Sequence, residues 1–531
     1  MNEFDYLVVG GGSSGCVVAS RLSEEQDVSV ALIEAGGSGD GWVVNTPIAG
    51  VFMVPTKLHN WAFETEPQPG LNGRRGYQPR GKALGGSSAI NAMVYVRGHR
   101  ADYDQWAALG NKGWAYDDVL PYFRKSECNE DFGGIWHGQE GPLHVARLRT
   151  DNAVHELFLE AAREARLPLC KDFNVPEPEG LGIYQVTQQN GERCSAARAY
   201  IHPVVGKRPN LRVECGAHVR RILFEGKRAT GVEFLQDGTF HLLRARREVI
   251  LSAGAIQSPQ LMMLSGIGDG EKLRQFGIEV VAHLPGVGRN LQDHPDFVFA
   301  YQARNRNFLG LSVAGLLHLS REFSRYRSAR RGMLTTNFAE AGGFLKTRPD
   351  LPQPDVQLHF VIALVEDHAR KLRLGHGYSC HFCLLRPRSR GTITLRNLNP
   401  LEAPEIDPNF LADPQDLEDM VAGFKLTRRL MDAPALASCR TRDLFAADIQ
   451  NDDEIRTILR QRVDTVYHPV GTCRMGTDET AVVDPTLRVR GFSGLRVVDA
   501  SIMPTLIGGN TNAAAIMIGE KAADMIRAGM T

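Results

Sequence analysis

The sequence predicts an α/β fold, because short apolar runs typical of buried parallel strands alternate with segments of helical periodicity. The first run, residues 4–9, leads into a glycine-rich turn, and helical periodicity follows over residues 16–22. A second apolar run, residues 28–33, ends in an acidic residue. A strand, a tight turn, a helix and a second strand are the opening elements of a Rossmann-like nucleotide-binding domain.

The turn Gly10-Gly11-Gly12-Ser13-Ser14-Gly15 has the glycine spacing that a dinucleotide requires. Gly10 permits the tight turn, Gly12 lets the backbone approach a pyrophosphate, and Gly15 allows the helix to pack on the strand. The N-terminus of the helix, around Ser14, presents free N–H groups to the phosphates. We therefore expect a dinucleotide at this turn.

Glu34 ends the second strand, 19 residues beyond Gly15, and Ala35 follows it. A carboxylate at that distance accepts hydrogen bonds from ribose hydroxyls. An acid also disfavours a ribose 2′-phosphate, so the expected cofactor is FAD or NAD rather than NADP.

Length and charge restrict the function classes. The chain has 531 residues, too many for one hydrophobic core, so two or more domains are expected. Lys plus Arg and Asp plus Glu number 61 each, so no basic field indicates a nucleic-acid partner. Nine cysteines, an odd number, fit thiols in a reducing compartment, and the acidic N-terminus does not resemble a signal peptide. These features predict a cytoplasmic protein.

Nucleotide-binding pieces recur in the middle and at the end of the chain. A strand near residues 246–251 precedes helical periodicity up to residue 264, and a strand at 495–498 precedes a last helix near 513–526. The predicted nucleotide-binding domain therefore comprises residues 1–150, 194–296 and 466–531. Residues 151–193 and 297–465 are expected to form a second domain that covers the cofactor.

Four separate motifs carry a family resemblance. They are residues 81–91 (GKALGGSSAIN), 254–268, 286–294 (GVGRNLQDH) and the C-terminal pair Tyr467-His468-Pro469 and Gly509-Asn510-Thr511-Asn512. In this order they resemble the glucose-methanol-choline (GMC) flavoprotein oxidoreductases, most closely the branch of choline dehydrogenases and bacterial alcohol dehydrogenases. The resemblance implies FAD, an antiparallel sheet in a substrate-binding domain over the flavin, and oxidation of an alcohol.

Two residues are expected to carry the chemistry. Histidine suits removal of the alcohol proton near neutral pH, and His468 matches the active-site histidine of the family. Asn512 is matched to the second active-site position, where histidine or asparagine hydrogen-bonds the substrate oxygen. On opposite sides of that oxygen, the two side chains would stabilise a developing alkoxide.

Two further residues are predicted to contact the substrate. His359, on an alternating strand pattern, resembles a family position that orients the substrate. Glu340 aligns with a carboxylate that meets the quaternary ammonium of choline, but few aromatic residues surround it in sequence, and such a cation favours aromatic faces. A neutral primary alcohol, aliphatic or aromatic, is therefore the expected substrate. Choline dehydrogenase, an aryl-alcohol type oxidase using oxygen, and a hydroxynitrile lyase remain the alternatives.

The family pattern also assigns cofactor contacts beyond the glycine turn. It places Val219 at the adenine, and it assigns a set at the flavin end, the ribityl chain and the pyrophosphate: Gly86, Asn91, Ala92, Val94, Asp499 and Ala500. Some members attach FAD covalently through a histidine just before Asn91, and here that position is Ile90. FAD is therefore expected to bind without a covalent link.

The pattern of residues 313–331 bears on which electron acceptor is expected. Leu316, Leu319, Phe323 and Tyr326 recur at helical spacing among Arg321, Arg325, Arg327, Arg330 and Arg331. The pattern fits a helix packed on its own domain, or a basic amphipathic helix lying on a membrane. Peripheral membrane contact would make a quinone the natural acceptor. The sequence leaves the oligomeric state open.

Overall fold

Two large β-sheets organise the molecule. The computed structural model describes residues 2–529, and the side chains of residues 314, 316 and 318 lie outside that description. The sheet formed near the N-terminus has seven strands, and the other has eight. Each sheet has its own cluster of buried apolar side chains.

The first sheet is the predicted nucleotide-binding sheet. Its main path runs in the order Leu211–Glu214, Val30–Ile33, Glu3–Val9, Thr239–Leu251, Arg228–Gln236 and His218–Glu225. Thr239–Leu251 pairs in parallel with Glu3–Val9 and with Leu495–Val497. The last three strands of the path pair with one another in antiparallel hairpins. The strand expected at residues 246–251 begins earlier, at Thr239, because its first half forms a hairpin with Arg228–Gln236. The α/β fold class is confirmed.

Two helices join the opposite ends of the chain. Ser13–Leu22 packs against Asn512–Ala528, and a Cβ added at Gly519 would lie only 2.8 Å from the Cβ of Val17. The hydroxyl of Ser14 donates a 2.6 Å hydrogen bond to the carbonyl oxygen of Ala515. The glycine turn and the C-terminal asparagine motif are thereby brought together. Gly254–Leu264 follows the long central strand, as expected.

The second sheet is antiparallel throughout, as the resemblance implied. Its path is Arg440–Asp443, Pro295–Ala303, Gly375–Leu384, Val356–Val361, Ala339–Leu345 and Gly180–Ile183, with Gly310–Leu311 and Asp464–Thr465 at its side. Phe424, on the helix Pro414–Met431, packs on it, and its ring centroid lies 4.6 Å from that of Phe299. The domain boundaries themselves stay a prediction.

The remaining elements connect and cover these sheets. The other helices are Trp42–Asn45, Gly50–Met53, Arg100–Ala108, Tyr116–Ser126, Val154–Glu164, Gly270–Gln275, Val313–Ala329, Pro434–Ala437 and Asp452–Arg462. Short strands occur at Phe63–Glu64, Tyr77–Gln78, Glu127–Asn129, Leu143–Arg147, Gln185–Val186, Gln188–Gln189, Glu192–Arg193, Ile267–Gly268, Ala282–His283, Arg289–Leu291, Gly391–Thr394 and Glu405–Asp407. Within residues 2–529, no helix has the length and apolarity needed to span a bilayer.

The helix expected over residues 313–331 is present as Val313–Ala329. Tyr326 is buried, whereas Phe323 is more than half exposed, so the apolar residues of the pattern do not all face the protein. The contribution of Leu316 to that pattern lies outside the described side chains.

Candidate active site

A single cavity of about 450 Å³ collects most of the residues singled out by the sequence. Its wall includes Gly10, Gly12, Ser14, Glu34, Ala35, Gly86, Asn91, Ala92, Val94, Val219, His359, His468, Asp499, Ala500 and Asn512. Gly15 lies behind this wall, where an added Cβ would stand 2.0 Å from the carbonyl oxygen of Gly10. That close approach of helix and strand is the role expected for Gly15.

The glycine turn leaves room on the cavity side. Gly10 has a φ of +98°, and an added Cβ would collide with Ser252 at 2.5 Å. At Gly12, by contrast, the nearest protein atom to an added Cβ is the Ser252 carbonyl oxygen at 3.6 Å. The protein itself would therefore tolerate a methyl group at Gly12, and the space beside it is open to a phosphate.

Glu34 holds the glycine turn. Its carboxylate oxygens accept hydrogen bonds from the N–H groups of Gly11 at 2.8 Å and Gly36 at 2.7 Å. Burial raises the pKa of Glu34 to about 7, although these two N–H groups oppose the rise. Each carboxylate oxygen can accept more than one hydrogen bond. Glu34 can thus hold the turn and still receive a ribose hydroxyl.

Asp499 anchors the start of the helix that follows the central strand. One of its oxygens accepts from the Gly254 N–H at 2.9 Å and from the Ser258 hydroxyl at 2.6 Å. Burial raises the pKa of this carboxyl. Ala500 follows it on the cavity wall.

The segment expected at the flavin end is held by two neighbours. Arg193 donates to the side-chain oxygen of Asn91 at 2.9 Å, and Asn337 donates to the carbonyl oxygen of Ala92 at 2.8 Å. Ile90 lines the cavity and offers no nucleophile. An extended cavity with a glycine cradle at one end and an acid for a ribose fits a dinucleotide such as FAD.

His468 also lines the cavity. Its Nε2 atom is 3.1 Å from the amide nitrogen of Asn510, and its Nδ1 atom is 3.0 Å from Nδ1 of His294. The backbone N–H of His468 donates to Asp293 at 2.8 Å. The preceding residue, Tyr467, has a φ of +76°, a sparsely populated conformation for a residue with a side chain. The imidazole is therefore contacted at both ring nitrogens, and Asp293 holds the backbone of the residue.

Asn510 occupies the place expected for Asn512. Asn512 does line the cavity, but its side-chain oxygen accepts a 2.7 Å hydrogen bond from the Ser13 hydroxyl at the glycine turn. The two asparagines differ because Asn512 begins the last helix, whereas Asn510 lies in the loop before it. Asn510 was part of the quoted motif, yet spacing alone did not show which asparagine meets the histidine.

The orientation of Asn510 follows from its neighbours. Gln357 donates to the amide oxygen of Asn510 at 2.9 Å, which leaves the amide nitrogen for His468. His359 lies close to the same amide, with its Nε2 atom 3.5 Å from the oxygen. His359 therefore lies beside the pair of His468 and Asn510, and its contact with the substrate stays a prediction.

These histidines are neutral. Burial, followed by the charges that His294 and His359 would carry, holds the pKa of His468 well below its ordinary value. Burial likewise lowers the pKa of His359 to about 3. A neutral imidazole is the form that can accept a proton.

Glu340 does not line the cavity, contrary to the sequence prediction. Its carboxylate is fully buried, 2.7 Å from Nε2 of His155, and accepts a 2.7 Å hydrogen bond from Thr336. Its neighbour Ala339 lines the cavity instead, because successive strand residues face opposite sides of a sheet. The position of Glu340 behind the cavity wall therefore does not support the prediction that it contacts the substrate.

The wall near His468 is mainly apolar. It includes Phe338, Ala339, Val361, Ala363, Leu364, Val365 and Val466. Among the described residues that line the cavity, the two carboxylates are Glu34 and Asp499, both placed at the nucleotide-binding motifs. The space beside His468 therefore suits a neutral substrate.

Comparison with known proteins identifies the same motifs. A family model described as GMC oxidoreductase matches residues 4–296, and a second one with that description matches residues 387–519. The chain is 45% identical to an alcohol dehydrogenase (acceptor) of Pseudomonas putida, over 98% of this chain and 95% of the relative. It is also 45% identical to the mitochondrial choline dehydrogenase of Mus musculus, over 99% and 90%.

Solved structures agree with this result. A pyridoxine 4-oxidase from Mesorbium loti superimposes with a TM-score of 0.88 at 31% identity, covering 99% of both chains. A formate oxidase from Aspergillus oryzae RIB40 superimposes with a TM-score of 0.92 at 28% identity, covering 99% of this chain and 98% of that one.

Gly12 provides a test of the cofactor end. Gly12→Ala should fold normally, because the added methyl group meets only an ordinary contact at 3.6 Å. It should nevertheless weaken FAD binding by on the order of tenfold or more, since the methyl group enters the space of the pyrophosphate. FAD content after dialysis measures this effect, with unfolding of the apo-protein as the check on folding.

Gly37→Ala is the matched control, because nothing lies within 4 Å of its added Cβ. If Gly12→Ala retains FAD as well as Gly37→Ala does, the pyrophosphate does not lie at this turn.

Proposed function

The chain belongs to the GMC oxidoreductase family, an FAD-binding family with alcohol dehydrogenases among its members, and we propose that it oxidises a neutral primary alcohol to the aldehyde. The alcohol is aliphatic or aromatic, and the electrons pass to a quinone-type acceptor. The observation that carries the proposal is the neutral His468–Asn510 pair at an apolar wall without a carboxylate.

FAD, when bound, supplies the oxidant that accepts a hydride from the alcohol carbon. The glycine turn, Glu34 and Asp499 would hold it, with Val219 at the adenine end and Asn91 to Val94 near the flavin. Ile90 gives this chain no histidine for a covalent link at that position.

The protein manages the proton. Nε2 of His468 accepts it from the alcohol hydroxyl, and a neutral imidazole is required for that step. The amide nitrogen of Asn510 lies 3.1 Å from the same Nε2 and can donate to the alcohol oxygen as negative charge develops there. His359, beside Asn510, contributes a further polar group to this end of the cavity.

The shape and polarity of the wall favour a neutral alcohol over choline. A trimethylammonium group loses water on binding and needs a carboxylate or several aromatic faces in return. Glu340 points elsewhere, and Phe338 and Tyr467 are the aromatic rings in this part of the wall. The sequence identities do not distinguish between the two substrates, because the alcohol dehydrogenase and the choline dehydrogenase are each 45% identical to this chain.

An exposed surface, which we call the basic face, supports the choice of a membrane-borne acceptor. It comprises residues 304–331 and 370–374. Residues 304–331 hold seven arginines and one acid, Glu322, and three of these arginines pair with Asp151 or Glu192 from outside the segment. Apolar side chains with exposures from 43% to 80% accompany them, namely Leu311, Val313, Leu317, Phe323, Leu372 and Leu374.

The basic face is continuous with the cavity. Leu311 and Leu374 are bridged by their backbones, so the two parts of the face adjoin. The chain just before it supplies Leu364, Val365 and Ala369 to the cavity wall. Apolar side chains among cations suit the surface of an anionic bilayer, where quinones reside. We propose peripheral contact there.

The first test separates the two asparagines. His468→Ala should lower the rate of flavin reduction by alcohol by about 10²–10⁴-fold, the contribution typical of a positioned base. Asn510→Ala should lower the same rate by about 10²–10³-fold, because one donor to the developing charge is lost. Stopped-flow absorbance without oxygen measures both.

Asn512→Ala is the comparison, and we expect its main effect on FAD retention rather than on flavin reduction. If Asn512→Ala impairs reduction while Asn510→Ala reduces at the native rate, the sequence-based choice of Asn512 is right and the geometric choice is wrong.

A substrate series tests the apolar wall. From propanol to hexanol, kcat/KM should rise stepwise, by up to about fourfold per methylene at ~0.8 kcal/mol each, and hexanol should exceed choline. Glu340→Gln should leave the hexanol-to-choline ratio unchanged, because Glu340 does not reach the cavity. A preference for choline that disappears in Glu340→Gln would favour a choline dehydrogenase.

The basic face is tested by co-sedimentation with vesicles. Binding should be stronger to anionic than to zwitterionic vesicles and should weaken as salt is added. Leu372→Ser with Leu374→Ser should weaken it by about tenfold or more, because two apolar side chains no longer enter the interface.

Phe240→Ser with Leu242→Ser is the matched control, since both residues are exposed and lie on another sheet. Equal losses in the two double variants, or no binding to anionic vesicles at low salt, would exclude the bilayer as the partner of this face.

A further inference from the structure

His294 lies between the proposed base and the backbone. Its Nδ1 atom is 3.0 Å from Nδ1 of His468, and its Nε2 atom is 3.2 Å from the Leu385 carbonyl oxygen and 3.1 Å from that of Ile507. The side chain is fully buried. It ends the motif at 286–294, to which the sequence assigned no catalytic task.

These partners decide where the hydrogens are. A carbonyl oxygen only accepts hydrogen bonds, so Nε2 of His294 must carry its hydrogen. Burial lowers the pKa of His294 to about 3, so the ring is neutral and its Nδ1 is without a hydrogen. The short contact between the two Nδ1 atoms then requires that His468 donates. Nε2 of His468 is consequently the acceptor nitrogen of the ring, and the amide N–H of Asn510 faces it at 3.1 Å.

We propose that His294 is a positioning residue that fixes His468 in the tautomer with a bare Nε2. The inference rests on the proposed function, because only proton removal from an alcohol gives that tautomer a purpose. A neutral histidine without such a partner distributes its hydrogen over both ring nitrogens. The backbone carbonyls of Leu385 and Ile507, which cannot change role, are the origin of the constraint.

The hydrogen bond from His468 to His294 is the same before and after the proposed proton transfer. Before the reaction, Nδ1 of His468 donates to His294. After Nε2 has taken the alcohol proton, Nδ1 still carries its hydrogen and still donates to the same atom. His294 therefore changes neither its protonation nor its partners. Gln357 holds the Asn510 amide oxygen at 2.9 Å, so the group facing Nε2 is also fixed.

Two variants of His294 test the proposal. In His294→Gln the amide nitrogen can donate to the carbonyls while the amide oxygen accepts from Nδ1 of His468, so the tautomer is preserved. In His294→Ala the acceptor is lost. We expect His294→Ala to lower the rate of flavin reduction at saturating alcohol by about 10²–10⁴-fold, since a wrong tautomer costs a histidine base up to about 10⁴-fold.

His294→Gln should recover the rate to within about tenfold of the native enzyme, since it restores the acceptor. In both variants the half-saturating alcohol concentration and the FAD content should stay near native values. Stopped-flow reduction without oxygen, with FAD content measured on the same samples, gives all three quantities.

Two results would overturn the inference. One is a native reduction rate in His294→Ala. The other is an equal loss in both variants together with loss of FAD, which would make His294 a packing residue. Either result leaves the proposed function standing as long as His468→Ala slows flavin reduction to the extent predicted above. If His468→Ala also reduces at the native rate, the proposed function itself fails.

Discussion

The contact between the first and the last helix is the constraint on which the site depends. Ser13 and Ser14 each donate a hydrogen bond to the start of the helix Asn512–Ala528, across about 500 residues of sequence. Gly519 allows the two helices to approach closely. This contact places the glycine turn and the asparagine motif on one cavity wall.

Burial determines the electrostatics of the reacting end. His294, His359 and His468 are each almost fully withdrawn from water, which disfavours their charged forms. The same exclusion of water strengthens the hydrogen bonds that Asn510 and Gln357 make. A base that is neutral before the reaction and a donor with a fixed orientation are what proton removal from an alcohol requires. The apolar wall likewise disfavours a charged substrate.

The sequence predicted the parts that depend on local pattern. The glycine turn, Glu34, the central strand with its helix and the final helix follow from short-range periodicity and spacing. Asn512 and Glu340 could not be placed in this way. Which asparagine faces His468 depends on where the last helix begins, and the side of the sheet that Glu340 faces depends on strand register, with an irregularity between Ala339 and Ala341.

His294 could not be assigned from sequence for a different reason. The role that we propose for it depends on the backbone carbonyls of Leu385 and Ile507, and backbone acceptors leave no signature in side-chain spacing. Asp293, which holds the backbone of His468, was likewise part of a recognised motif without an assigned task. Tertiary contacts of this kind appear only when the chain is folded.

The most direct measurement of the central claim is a titration of the purified protein with a medium-chain or benzylic alcohol in the absence of oxygen. The account predicts that the yellow flavin absorbance is lost and that one aldehyde forms for each FAD reduced. An absorbance that persists at saturating alcohol, with FAD bound and the protein folded, would contradict it.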